Sequence, residues 1–131
     1  MNSNSRASIS IFAIALAFVL SGCSGGLLVK PVDAEVARNA LQEVLETWKR
    51  GGHIADLRSN SPSIVVQEMD WSRGMKLQEF RLLDEGREED ANLFCRVELT
   101  LLPATGGEPV KKTVVYVIGT DPVLTVFRAI I

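Results

Sequence analysis

The chain has 131 residues, a length that suits one ordinary domain and is too short for two. Hydrophobic residues make up 47% of it and charged residues 23%, which is typical of a globular protein rather than a disordered one. The net charge of −2 excludes a strongly basic nucleic-acid binder, and two Cys with one His exclude the multi-ligand Cys/His zinc patterns. The composition therefore predicts no nucleic-acid partner, no metal site and no cofactor.

The N-terminal segment carries the most specific motif of the chain. Arg6 supplies a positive charge, residues 9–20 are apolar apart from one serine, and residues 20–23 read Leu-Ser-Gly-Cys. The apolar run is shorter than the roughly 20 residues that span a bilayer. This order closely resembles the signal peptide of bacterial lipoproteins, whose lipobox is Leu, a small residue, Gly or Ala, and then Cys.

The lipoprotein resemblance implies that the chain is exported and anchored to a membrane through a lipid on Cys23. In that family the Cys sulfur receives a diacylglycerol, the peptide is cut before the Cys, and the new amino group is usually acylated. Two or three acyl chains are enough for stable anchoring, whereas one is not. We therefore predict a signal peptide at 1–22, a lipidated cysteine with its tether at 23–32, and a domain at 33–131. We expect this domain to lie outside the cytoplasm, anchored to the cell membrane or, since residue 24 is Ser rather than Asp, to the outer membrane.

The first element of the domain is predicted to be a long amphipathic helix. Asp33 is a suitable N-cap, and Gly51 and Gly52 would end the helix. The apolar residues that follow Asp33 recur at the spacing of one buried stripe. The stripe consists of Val36, Ala37, Ala40, Leu41, Val44, Leu45 and Trp48.

The rest of the domain is predicted to be rich in strands. Residues 53–57 fit one further helical turn, 64–67 a short strand, and 69–74 a break in the pattern. The predicted strands that follow are residues 75–83, 93–101, 112–118 and 123–130, with 84–90 as a charged hairpin connection. Because short connections join them, we expect antiparallel neighbours.

These elements predict an α+β domain with one helix packed on a curved antiparallel sheet of three to five strands. The order of elements resembles the NTF2-like and cystatin-like folds. We expect the inward side chains of the sheet to contact five residues of the helix, namely Val36, Leu41, Val44, Leu45 and Trp48. The expected inward residues are Leu93, Val97, Leu99, Val115 and Val117. For the strand at 112–118 a one-residue shift is the open alternative, and it would turn Val114, Tyr116 and Ile118 inward.

Two short motifs are similar to those of small exported bacterial proteins of unassigned function. The first is Trp71-x-x-Gly-x-x-Leu and the second is Tyr116-Val-x-Gly-Thr-x-Pro. The resemblance carries no catalytic residue that could be transferred to this chain.

Few side chains of the domain are suited to chemistry. His53, the one histidine, is a candidate acid or base with Asp56 or Asp70, although a histidine after a helix end is also favourable for structural reasons. Cys95 lies on the apolar phase of its predicted strand, where a buried thiol is the usual case.

The segment around Asp70 and Trp71 is the candidate ligand site. An aromatic ring beside opposite charges and a glycine can line a cleft, or it can fill the open end of the core as part of a wide bulge. We take His53, Asp70, Trp71 and Tyr116 as the members of a possible ligand pocket.

No catalytic signature is present, so the sequence favours a non-catalytic module. Such a module would bind an envelope protein or a small-molecule ligand outside the cytoplasm. The alternative is a small NTF2-like enzyme whose pocket uses His53 and Asp70.

Overall fold

The computed structural model describes residues 30–130, so the predicted signal peptide and Cys23 lie outside the described residues. Within that range the chain forms three helices and six strands. The helices are α1 (Ala34–Lys49), α2 (Ile54–Arg58) and α3 (Met69–Ser72). The strands are β1 (Ile64–Gln67), β2 (Lys76–Leu82), β3 (Arg87–Glu89), β4 (Asn92–Leu102), β5 (Val110–Gly119) and β6 (Leu124–Arg128).

The described part of the chain confirms the α+β class and corrects the sheet. Its six strands follow the order β1-β6-β5-β4-β2, with β3 also paired to β4, and the sheet curls into half a barrel. β1 pairs with β6 in parallel, and the other pairs are antiparallel. The prediction of a wholly antiparallel sheet of three to five strands is therefore wrong. Turn lengths report only on neighbours along the chain, and β1 pairs with the strand farthest from it in sequence.

Helix α1 begins and ends where its local chemistry dictates. The Asp33 carboxylate accepts a hydrogen bond from the Val36 N–H at 3.1 Å, which confirms Asp33 as the N-cap. After Lys49 the backbone reaches a φ of 81° at Gly51, a left-handed conformation that favours glycine. The helix comprises 16 residues, Ala34–Lys49.

Helix α1 lies across the curled sheet and contacts β2, β5 and β6. Its buried apolar face comprises Ala37, Ala40, Leu41, Val44, Leu45 and Trp48. Val36, which we expected in the core, is 41% exposed because it lies at the edge of this stripe. The core prediction is therefore wrong for Val36 and correct for the other four helix residues, Leu41, Val44, Leu45 and Trp48.

Strand β5 has the alternative register, shifted by one residue from the expected one. Val114, Tyr116 and Ile118 are buried, whereas Val115 and Val117 are half-buried on the other face. Tyr116 pairs with Cys95 of β4, and directly paired residues share a face of the sheet. Because Cys95 points inward, its partner must do so too, and the expectation for Val115 and Val117 is wrong.

The charged stretch and the predicted bulge both take more regular forms than expected. Within 84–90, residues 87–89 form β3, which pairs with β4 instead of remaining a simple connection. Residues 69–72 form the helical turn α3 rather than a wide bulge. This turn sets the position of Asp70 and Trp71.

Replacement of Leu45 by Ala should lower the free energy of unfolding by about 2–5 kcal/mol, because the side chain is fully buried between α1 and the sheet. Val36→Ala on the same helix is the matched control and should cost less than about 0.5 kcal/mol. Urea denaturation followed by circular dichroism measures both values. Equal costs for the two variants would contradict this orientation of α1.

Candidate functional site

The four predicted pocket residues separate into two places. His53 and Trp71 line an open cavity of about 670 Å³, whereas Asp70 and Tyr116 belong to a buried group of charged and polar side chains. The cavity, here called the tryptophan groove, is lined by residues 48–54, Trp71, residues 74–78 and Leu102. The expected single pocket with His53 and Asp70 together is therefore not formed by residues 30–130.

Two tryptophans from different helices build one wall of the tryptophan groove. Trp48 comes from the end of α1 and Trp71 from α3, and their rings stack with centroids 5.5 Å apart and planes 10° apart. The Trp48 indole N–H donates to the Met75 carbonyl oxygen at 2.9 Å, so this buried ring has its polar partner. The stack joins α1 to α3 and leaves the half-buried Trp71 as part of the groove lining.

The segment after α1 forms another part of the lining. A side chain at Gly52 would place its Cβ 2.8 Å from Thr47 Cγ2, so the close approach of this loop to α1 requires glycine. His53 follows as the exposed N-cap of α2, and its backbone N–H donates to the Asp56 carboxylate at 2.9 Å. The imidazole therefore lies beside the groove, and Asp70, its acid–base partner in the enzyme hypothesis, does not line that groove.

The charges of the groove lining have one sign. Lys49, Arg50 and Lys76 contribute ammonium and guanidinium groups, and the described lining contains no Asp or Glu. Lys49 forms an exposed ion pair with Glu79 at 3.3 Å. Among residues 30–130, no carboxylate lies within 4 Å of Arg50 or Lys76.

The second place is a group of five side chains, Glu68, Asp70, Lys112, Tyr116 and Arg128, called the ion cluster below. The Glu68 carboxylate caps α3 by accepting from the Asp70 N–H at 2.9 Å, and it also accepts from the Tyr116 hydroxyl. Arg128 of β6 binds Glu68 at 2.8 Å and Asp70 as well. Lys112 of β5 lies 2.6 Å from Asp70. The ion cluster thus joins α3 to β5 and β6.

The ion cluster is balanced in charge, and its charged side chains are buried except for that of Lys112, which is 33% exposed. The side chains of Glu68, Asp70 and Arg128 are 1%, 5% and 10% exposed, so their charges are largely removed from water. Two carboxylates face two cations, and the described residues contain no buried side-chain nitrogen or oxygen without a hydrogen-bond partner. Burial of charge is costly unless every member is paired, and here each one is.

The pKa shifts follow from this pairing. Burial alone would raise the pKa of the Asp70 carboxyl, but the hydrogen bonds and charges of Lys112 and Arg128 outweigh it and lower that pKa. The stabilisation is therefore complete above the ordinary aspartate pKa of about 4 and is lost as the pH falls through the lower folded-state value. Burial, followed by the charge of Glu68, raises the pKa of Tyr116. The Tyr116 phenol is thus held as a donor to Glu68.

Cys95 is buried, as its strand phase predicts. Burial and the nearby charge of Asp84 raise the pKa of its thiol to about 11, so it is protonated at neutral pH. Such a thiol is a core residue rather than a nucleophile. The remaining sequence-predicted site residue, Cys23, lies outside the described residues.

Sequence reasoning missed Glu68, Lys112 and Arg128. One signal was available for Arg128, because it shares the inward phase of Val126 and Leu124 on the last strand. An arginine on an inward phase requires a buried carboxylate. The identity of that carboxylate was not readable, since Glu68 lies 60 residues away.

Comparison of the chain with protein-family models, curated proteins and solved structures gave no match. Across residues 30–130, no helix has the length and apolar character that a membrane crossing requires. The same range contains no group of three or more His, Cys, Asp or Glu side chains arranged to hold a metal ion.

Replacement of Arg128 by Met should lower the free energy of unfolding by about 3–5 kcal/mol, because Glu68 and Asp70 would remain buried without their cation. Arg96→Met is the matched control, since Arg96 forms only an exposed 3.8 Å pair with Asp84 and should cost about 0–1 kcal/mol. Chemical denaturation at neutral pH gives both values. A cost for Arg128→Met no larger than that of the control would show that the ion cluster does not hold the fold together.

Proposed function

We propose that the chain is an exported, lipid-anchored protein whose domain binds a small molecule in the tryptophan groove without catalysing a reaction. The observation that carries the binding proposal is the groove itself. It is open, about 670 Å³ in volume, and lined by both tryptophans of the chain. Ligand sites of small molecules are concave, about 300–1,000 Å³ in volume, and rich in aromatic side chains with a few polar groups.

The proposed absence of catalysis rests on where the reactive groups lie. A general acid–base pair needs two groups within hydrogen-bond reach of one substrate. His53 lines the groove, while Asp70 and Tyr116 are committed to the ion cluster. The binding module is therefore favoured over the NTF2-like enzyme.

We also propose kinship of the domain with the NTF2-like or cystatin-like folds. A helix laid across a curled sheet supports this assignment.

The anchoring proposal rests on the lipobox sequence that ends at Cys23. Replacement of Cys23 by Ser removes the sulfur that would carry the diacylglycerol, so the variant should not incorporate labelled fatty acid. Lipid labelling and fractionation of membranes from the producing cells measure this. Identical labelling and fractionation of the parent and variant would contradict the proposal.

Binding in the groove can be followed with a neutral aromatic dye, N-phenyl-1-naphthylamine. Dye emission excited through tryptophan reports dye that lies close to Trp48 and Trp71, the two tryptophans of the chain. Trp71→Ala should weaken dye binding by about tenfold, because the dye loses a stacking interaction of about 1.4 kcal/mol with the indole ring. Since this variant also removes one of the two donors, affinities are compared from midpoints of the titrations rather than from amplitudes.

The matched control for Trp71→Ala is Phe94→Ala, which truncates a half-buried aromatic ring of β4 outside the groove lining. Its dye affinity should equal that of the parent, and far-UV circular dichroism establishes that both variants are folded. No energy transfer in the parent, or equal affinities in all three proteins, would overturn the proposal of a ligand site in the groove.

A further inference from the structure

We propose that the tryptophan groove selects a small amphipathic organic anion, in which a carboxylate, sulfonate or phosphate is attached to an aromatic body. This inference rests on the proposed function, because it names the chemical class of the ligand for the same groove. Three features of the described residues support it: the sign of the lining charges, the apolar floor, and the position of the nearest carboxylates.

The cationic groups of the groove come from two separate elements. Arg50 follows α1 and Lys76 begins β2, and both side chains are exposed. The carboxylates of residues 30–130 leave both of them without an ion-pair partner within 4 Å. A guanidinium can bind a carboxylate or phosphate through two parallel hydrogen bonds, and an ammonium adds a compact charge. Arg50 donates one hydrogen bond to the Thr47 hydroxyl at 3.3 Å, so its remaining guanidinium N–H groups and the Lys76 ammonium are the donors available to an anion.

The rest of the lining suits an apolar body. Trp71, Met75, Leu77 and Leu102 present aromatic, thioether and aliphatic surface to the same cavity. Trp71 already stacks on Trp48 with nearly parallel rings, which favours a flat ligand as the next layer. A volume of about 670 Å³ accommodates a whole small molecule.

Glu79, which pairs with Lys49 at 3.3 Å, lies outside the groove lining, and two further carboxylates lie next to the loop formed by residues 51–53. A second cavity there, of about 700 Å³, is lined by Glu43 and Asp56 together with Arg50 and Asn60. Glu43 accepts a hydrogen bond from the Asn60 amide at 2.8 Å, and Asp56 accepts from the His53 N–H. Arg50 and residues 51–53 line both cavities, whereas Glu43 and Asp56 line only the second one.

The selection can be measured with two dyes that share one ring system. 8-Anilinonaphthalene-1-sulfonate carries a sulfonate on the N-phenylnaphthylamine body, and N-phenyl-1-naphthylamine is its neutral counterpart. Energy transfer from the tryptophans of the full chain gives the affinity of each dye. We expect the sulfonate to bind at least about fivefold more tightly at low salt, because two unpaired cations each contribute a modest attraction.

The double variant Arg50→Gln/Lys76→Gln should bring the ratio of the two affinities close to one. Lys111→Gln is the control, since Lys111 is an exposed lysine of β5 outside the groove lining, and it should leave the ratio unchanged. Equal affinities of both dyes for the parent would overturn the anion proposal and leave small-molecule binding intact. No binding of either dye would overturn the proposed function as well.

Vesicles distinguish the two sources of such an anion. Phosphatidylcholine vesicles with and without phosphatidylglycerol are titrated while tryptophan emission is recorded. A shift of the tryptophan emission maximum that requires phosphatidylglycerol and is lost in Arg50→Gln/Lys76→Gln assigns a lipid as the source. No such shift, together with tighter binding of the sulfonate dye, assigns a soluble anion. If phosphatidylglycerol shifts the tryptophan emission while the two dyes bind equally well, the region is a membrane-contact surface rather than a ligand groove. That result would overturn the proposal.

Discussion

The buried ion pairs of Arg128 with Glu68 and Asp70 are the interaction on which the described domain depends most. They join α3, a helix of four residues that could not hold its conformation alone, to the last strand of the sheet. Glu68 caps the same helix and accepts from Tyr116, so two strands and one helix meet at one carboxylate. Loss of the shared cation would leave both carboxylates buried and unpaired.

The tryptophan groove is a consequence of this arrangement. Trp71 follows Asp70 in α3, so the pairs that fix Asp70 also fix the ring that stacks on Trp48. Trp48 is fixed independently by the buried face of α1 and by its hydrogen bond to the Met75 carbonyl. The groove thus has one wall held by apolar packing and one held by buried charge. Two of its three cations, Arg50 and Lys76, have no carboxylate within 4 Å among residues 30–130.

Local features of this fold could be predicted from the sequence, and non-local ones could not. The Asp33 cap, the glycine at the end of α1 and the alternation that buries Leu93 and Cys95 depend on residues close together in the chain. The pairing of β1 with β6 and the contact between Glu68 and Arg128 join residues about 60 positions apart, for which turn lengths and periodicity carry no signal. The sequence left Trp71 open between a cleft lining and a plug of the core. Both its place in the groove lining and its separation from Tyr116 required the tertiary structure.

Near-ultraviolet circular dichroism of the stacked tryptophan pair measures whether buried charge positions the groove wall. The spectrum of Arg128→Met is compared with that of the parent, under conditions where the far-ultraviolet spectra show both to be folded. We expect the signal of the Trp48–Trp71 stack to be lost in the variant, because α3 is released from the sheet. An unchanged tryptophan signal in a folded Arg128→Met protein would contradict this expectation.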